Sequence, residues 1–170
     1  HTVRSVGMAM AMQGSGIGGV DVGSVQLKLN DDGFYTLMIG CSDMGTGCDT
    51  ILAQMAADGL GCEFEDIIVR GVDTDQSPYD SGSYASSTTY VTGGAVVKAC
   101  ESMRKRICEE AAAIMGLKSG EVDFDGETIS ENDNPEHSMT LSDLITSLEA
   151  GNGRIIEVTE SHTSPVSPPP

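Results

Sequence analysis

The chain has 170 residues, with 26 acidic against 9 basic side chains and a formal net charge of −17. That balance excludes nucleic acid and anionic membrane surfaces as partners, since both require clustered Lys and Arg; the sole basic cluster is Arg104-Lys105-Arg106. No run of 18 apolar residues exists to cross a membrane, and 39% hydrophobic residues over this length support one domain, or one with a small annex.

Residues 3–12 alternate loosely between small and larger side chains and predict a strand rich in methionine (Met8, Met10, Met12), followed by a flexible loop at 14–19. Val25, Leu27 and Leu29 then alternate with polar residues, Asn30-Asp31-Asp32-Gly33 is a turn signal, and Tyr35, Leu37 and Ile39 resume the alternation. This predicts a β-hairpin with one face buried. Ile51, Leu52, Met55 and Ala56 start a short helix that stops near Gly59–Gly61, and Ile67-Ile68-Val69 reads as a short buried strand. Residues 71–91 show no apolar periodicity. A long helix follows, with Ala95, Val96, Ala99, Met103, Ile107, Ala111 and Ile114 on one stripe and Gly116 as its left-handed terminator.

Residues 118–139 read as an acidic loop around a short strand pair. Thr140 and Asp143 have capping-box spacing before a helix through Leu144, Ile145 and Leu148. Arg154 to Thr163 is the last predicted strand, and 164–170 is a proline-rich extended segment. The class is α+β with a mixed sheet, a hairpin, and one short and one long helix packed on it. The expected division is a core over 1–117 with loops 43–50 and 73–89, an acidic α+β annex over 118–163, and the tail 164–170.

Five cysteines, odd in number and without a CxxC pair, argue against zinc or iron–sulfur ligation; Cys100 and Cys108 read as buried reduced thiols in a cytosolic protein. The N-terminus has no signal-peptide pattern and does not start with methionine, so the chain reads as a processed piece, a split subunit or an excised segment. His1, His137 and His162 are scattered and form no metal motif; the acidic 123–136 stretch lacks the spacing of a calcium loop and reads as a solvated face. Methionines 8, 10, 12, 38, 44 and 55 read mostly as core filler, ahead of thioether–metal chemistry.

Two loops carry candidate chemistry. Met44, Gly45, Thr46 and Gly47 lie between a strand and a helix, where glycines let the backbone approach a ligand and the helix start offers free N–H groups to an anion. The same residues also fit a tight connection capped by Thr46 or Asp49. Residues 73–89 end on Ser86, Ser87, Thr88 and Thr89, which present hydroxyls and N–H groups at the start of the long helix, or simply cap it. Two such starts suggest one shared anionic ligand.

The run Asp43-Met44-Gly45-Thr46-Gly47-Cys48-Asp49-Thr50 followed by Gln54-Met55-Ala56-Ala57 resembles the MGQG-type loop and helix of the molybdenum hydroxylases, the family of xanthine dehydrogenase, aldehyde oxidase and nicotinate dehydrogenase. Asp73-Thr74-Asp75, Pro78, Ala85-Ser86-Ser87-Thr88-Thr89 and Gly94-Ala95-Val96 look like its next block, and His162-Thr163-Ser164-Pro165 like the stretch before its final third. The resemblance implies a molybdopterin-binding fold of the xanthine dehydrogenase type, and a molybdopterin cofactor with molybdenum, often a cytosine dinucleotide in bacteria. It implies that Met44, Gly45, Thr46 and Gly47 approach the pterin or its dithiolene–molybdenum end, that Ala85, Ser86, Ser87, Thr88 and Thr89 line the cofactor, and that Tyr84 stands on the substrate side. The implied partners are the remaining molybdenum-subunit segments and FAD and 2Fe-2S subunits or domains. Thr46 replaces the Gln of many members, and neither the family's GxGE glutamate nor its Arg- and Gly-rich substrate loop occurs in these residues. The chain is therefore expected to form one wall of the cofactor site of a hydroxylase acting on N-heterocycles or aldehydes, inactive alone. The alternative is a non-enzymatic ligand- or partner-binding domain of the same fold.

Overall fold

The computed structural model describes residues 1–153 and 155–166. Strands β1 (Val22–Leu29) and β2 (Tyr35–Ile39) form the expected antiparallel hairpin, with Val25 opposite Ile39, Leu27 opposite Leu37 and Leu29 opposite Tyr35. Period-two alternation sends these six side chains to one face, where all are buried, and leaves Gln26, Lys28, Thr36 and Met38 half-buried on the other. The turn closes on Gly33, whose φ of 89° only a glycine adopts cheaply.

Helix α1 (Cys48–Leu60) and a 3₁₀ turn lead to β3 (Ile67–Gly71), which lies parallel to β2, as a helical crossover permits. Helix α2 (Thr88–Met115) packs across β1 and α1, burying Val91, Ala95, Val96, Ala99, Met103, Ile107 and Ala111. Gly116 ends it at φ 74°, as its sequence position indicates.

Beyond α2 the structure has three short strands where a pair was expected: β4 (Val122–Phe124), β5 (Thr128–Glu131) and β6 (Asn134–Thr140), an antiparallel sheet of their own. β6 escaped the sequence reading because nearly all its residues are solvent-exposed, so no alternation marks it. Helix α3 (Leu141–Asn152) starts on the predicted Thr140–Asp143 capping box. Strand β7 (Ile156–Thr163) then returns to the main sheet beside β1, giving the order β3-β2-β1-β7. The stretch 118–163 therefore supplies both the annex sheet and one strand of the core sheet. Arg154, expected in that last strand, and Ser167–Pro170 of the tail lie outside the described residues.

Arg104 stitches annex to core. Its guanidinium donates to the Leu60 carbonyl at the end of α1 (3.0 Å) and to the Phe124 carbonyl, and sits 5.3 Å from the centre of the Phe124 ring. All five cysteines are free; Cys100 is buried and Cys108 half-buried, and burial pushes the Cys100 thiol up to about 12. Among the described residues no helix is long and apolar enough to cross a membrane.

Two expectations fail. Residues 3–12 form no strand: every one of them is exposed, Met8, Met10 and Met12 by 86–100%. An isolated extended segment cannot hold strand geometry, because its N–H and C=O groups need a neighbouring ladder. The methionine reading fails for most of its residues: Met8, Met10, Met12 and Met44 face solvent and Met38 is half-buried on the outer face of the hairpin, whereas Met55 packs against the core as expected.

Candidate functional site

Strand directions bring both candidate loops to one end of the main sheet. β2 and β3 finish there, as Ile39 pairs with Gly71; β1 begins there, and β7 ends there with Thr163 opposite Val22. Loop 42–47, loop 72–87, the segment Gly16–Asp21 and the start of α2 therefore share the carboxyl edge of the parallel strands, where open α/β sheets hold ligands.

Hydrogen bonds lash these pieces together. Ser83 Oγ donates to the Ser42 carbonyl (3.2 Å), tying one loop to the other. Gly16 N donates to the Ala85 carbonyl (2.9 Å) and Gly19 N to the Ser164 carbonyl (2.8 Å). At the centre stands Asp21, fully buried, accepting from Ile17 N (2.7 Å) and from the Tyr84 hydroxyl (2.6 Å). That bond to the Asp21 carboxylate raises the Tyr84 phenol above its ordinary value. Asp80 receives Gly82 N and the hydroxyl of the buried Thr92, both at 2.8 Å. Asp21 and Asp80 were given no role by the sequence; the one visible hint is that Asp21 is the first acid after twenty acid-free residues.

The two helix starts differ. At α1 the N-cap is Gly47 (φ 74°), and neither Thr46 nor Asp49 caps it. Asp43 Oδ1 instead accepts from Gly45 N (2.7 Å) and Gly47 N (3.2 Å), and these backbone donors hold the Asp43 carboxyl below its usual range. With Asp49 also in the first turn, this end presents carboxylates that oppose an anion, and two backbone donors of the loop, Gly45 N and Gly47 N, are already engaged. The carboxylates of Asp43 and Asp49 and the Cys48 thiol have ligand atoms within 4.8 Å of one another.

At α2 the opposite holds. The N-cap is the buried Ser87, whose hydroxyl donates away to the Gly82 carbonyl (3.3 Å) rather than capping, and the first turn carries no acid. Its first N–H groups are thus left for an incoming acceptor. Ala85 and Ser86 precede it at φ 50° and 53°, a left-handed conformation that costs a non-glycine residue about 1–3 kcal/mol and gathers at functional sites. Ser86 and Thr89 are exposed and Thr88 and Ala85 half-buried around it, while Met44, Gly45 and Thr46 stand exposed on the neighbouring loop. Hydroxyls and helix N–H groups with no acid in the first helical turn are donor chemistry that fits a phosphate-bearing cofactor, the nearby Asp21 and Asp80 being engaged by Tyr84, Ile17, Gly82 and Thr92. A groove at the other end of β1 is lined by Leu29, Ile145, Leu148 and Ile156 with Lys28 and Asn30 but also Asp31 and Glu149, carboxylates that oppose an anion.

A mixed sheet with clustered loops at its carboxyl edge, one of them a strained, uncapped helix start, defines an open cofactor-binding domain. The chain belongs to the family of molybdopterin cofactor-binding domains, whose model matches residues 1–169. It is 39% identical over 110 residues to a probable hypoxanthine oxidase, XdhD, of Escherichia coli strain K12, covering 65% of this chain and 12% of that protein. It is 32% identical over 98 residues to the putative xanthine dehydrogenase molybdenum-binding subunit XdhA of the same organism, covering 57% and 13%. The reconstituted CO dehydrogenase from Oligotropha carboxidovorans shares the fold, with a TM-score of 0.75 over 84% of this chain and 18% of that one at 23% identity. The chain spans about one eighth of the length of these curated relatives.

Proposed function

We propose that the chain forms one wall of the molybdopterin site in the molybdenum-binding subunit of a xanthine dehydrogenase-like hydroxylase. The observation that carries this reading is the start of α2, uncapped by any side chain, free of acid and ringed by hydroxyls. In this reading Ala85, Ser86, Ser87, Thr88 and Thr89 hold the cofactor's phosphate. Met44, Gly45, Thr46 and Gly47 approach the pterin or its dithiolene–molybdenum end, where the Asp43 and Asp49 carboxylates would oppose a phosphate. Tyr84, anchored by Asp21, faces the substrate side.

When bound, the molybdenum cofactor supplies two-electron oxidation of an N-heterocycle or aldehyde, with water as the oxygen source. The residues of this chain bind and orient; the glutamate base would come from another segment of the subunit. Electrons leaving the site need acceptors, and FAD and 2Fe-2S subunits or domains fill that role. The core over 1–117 carries loops 43–50 and 73–89, and the annex drawn from 118–163 supports it while lending β7 to the main sheet. Five free thiols favour a reducing, cytoplasmic setting.

The test uses the complete subunit. Ser86 has a left-handed backbone that Asp and Asn tolerate, so Ser86→Asp changes charge with little strain. Molybdenum and pterin content should fall at least tenfold in Ser86→Asp and stay near stoichiometric in the neutral Ser86→Asn, a loss of about 1.4 kcal/mol or more in binding. A Ser86→Asp subunit that keeps stoichiometric molybdenum would sink the assignment.

A further inference from the structure

Among the described residues, 3–12 are the one long apolar stretch that the fold leaves wholly in water: Val3, Val6, Met8, Met10 and Met12 are 86–100% exposed. Extended, this segment puts Val6, Met8, Met10 and Met12 on one face, with Arg4 at its start, and Ser5, Gly7, Ala9 and Ala11 on the other, so from Ser5 onward neither face is charged. A strand apolar on both faces belongs inside a sheet covered on both sides. Charge tells the same story. In a chain of net charge −17, the first twenty residues contain no acid and only His1 and Arg4 as basic side chains.

We propose that residues 3–12 insert as a strand into a sheet of the remaining molybdenum-subunit polypeptide, small face inward against close-packed backbone and methionine face against an apolar layer. Ten residues span about 33 Å, so the recipient edge must be long. The edges of this chain do not qualify, which removes a second copy as the occupant. β7 exposes Glu157, Thr159, Ser161 and Thr163; β3 has five residues, one of them the exposed Arg70; β4 has only three; β6 carries Pro135, Glu136 and His137. The recipient lies in the polypeptide that the relatives possess beyond the matched eighth. Position adds meaning to the docking. The segment leaves the domain just before Gly16, Ile17 and Gly19, which are tied to Ala85, Asp21 and Ser164, so the recipient sheet comes to rest beside the loops of the candidate site.

The inference rests on the reading of the chain as part of a longer molybdenum subunit, and not on where the cofactor's phosphate sits. Hydrogen exchange followed by mass spectrometry on peptides covering 3–12 tests it, in this chain alone and in the complete subunit. The expected result is free exchange in the chain and slowing by at least about 100-fold in the subunit. Met10→Asp should leave the chain's melting temperature unchanged, since Met10 is 87% exposed there, and abolish the protection in the subunit. Free exchange in the complete subunit would overturn the inference, as would protection in the chain alone accompanied by dimers in light scattering. Molybdenum assayed in the same preparation separates the two readings. Protected strands without metal leave this inference standing and remove the cofactor assignment, whereas bound metal with an unprotected segment does the reverse.

Discussion

His162 sits on the core-facing side of β7, with its ring edge-on to Tyr90 at 6.5 Å, and a Cβ placed on Gly94 would fall 2.6 Å from the ring. Desolvation, and then the nearby Lys98 ammonium, push its imidazole below the ordinary 6.5. A base whose folded value is depressed contributes stability that is full above the unfolded value and is lost as pH falls through the folded one. Melting temperature should therefore drop on acidification from about pH 7.5 to about pH 5.5, and the drop should shrink in His162→Gln. An unaltered drop in that variant would show that His162 is not the proton acceptor. At this scale the sequence showed which residues could matter and left their partners unread. Tyr84, Ser86 and Ser87 were visible as candidates; Asp21, 63 positions from the Tyr84 hydroxyl it accepts, was not. Local spacing carries no information about a bond across such a separation.

Among the elements, α2 and β1 approach so closely that only glycine fits between them. A Cβ on Gly23 would lie 2.6 Å from Thr92 Cα and 2.8 Å from Thr92 N, backbone atoms that cannot swing aside. Gly23→Ala should cost about 1–3 kcal/mol in urea unfolding, the usual range for overpacking. A cost below 0.5 kcal/mol would mean that the helix can slide on the sheet (roughly the scale of a neutral surface change). The register here bears on function, since Thr92 holds Asp80 and Asp80 holds Gly82, the residue whose carbonyl draws the Ser87 hydroxyl away from capping. The hairpin, helices α1 and α2 and the α3 capping box were legible because their signals are periodic or within four residues. β6 was not, because a strand exposed on both faces has no alternation. Residues 3–12 show the converse, a strand-like pattern without the neighbour that would make it a strand.

For the whole molecule the net charge of −17 is a standing repulsion that folding concentrates. Raising ionic strength from about 0.01 M to about 0.15 M shortens the screening length from about 30 Å to about 8 Å, so the melting temperature should rise by several degrees. A flat or falling trend would show that local ion pairs such as Arg106–Glu110 outweigh the net repulsion. The sequence alone determined which residues of the hairpin and of α2 face the core and where α1 and α2 stop, because alternation and helical stripes are written in neighbouring residues. Through its motifs it also pointed to the cofactor family. Only the tertiary structure decided that β7 pairs along β1, Val22 opposite Thr163, that both loops meet at one sheet edge, and that of two similar helix starts one sits under the Asp43 and Asp49 carboxylates while the other carries no acid in its first turn. Those outcomes depend on which sheet edges and which N–H groups remain unsatisfied once the chain has closed on itself, a competition among distant groups that no local pattern records.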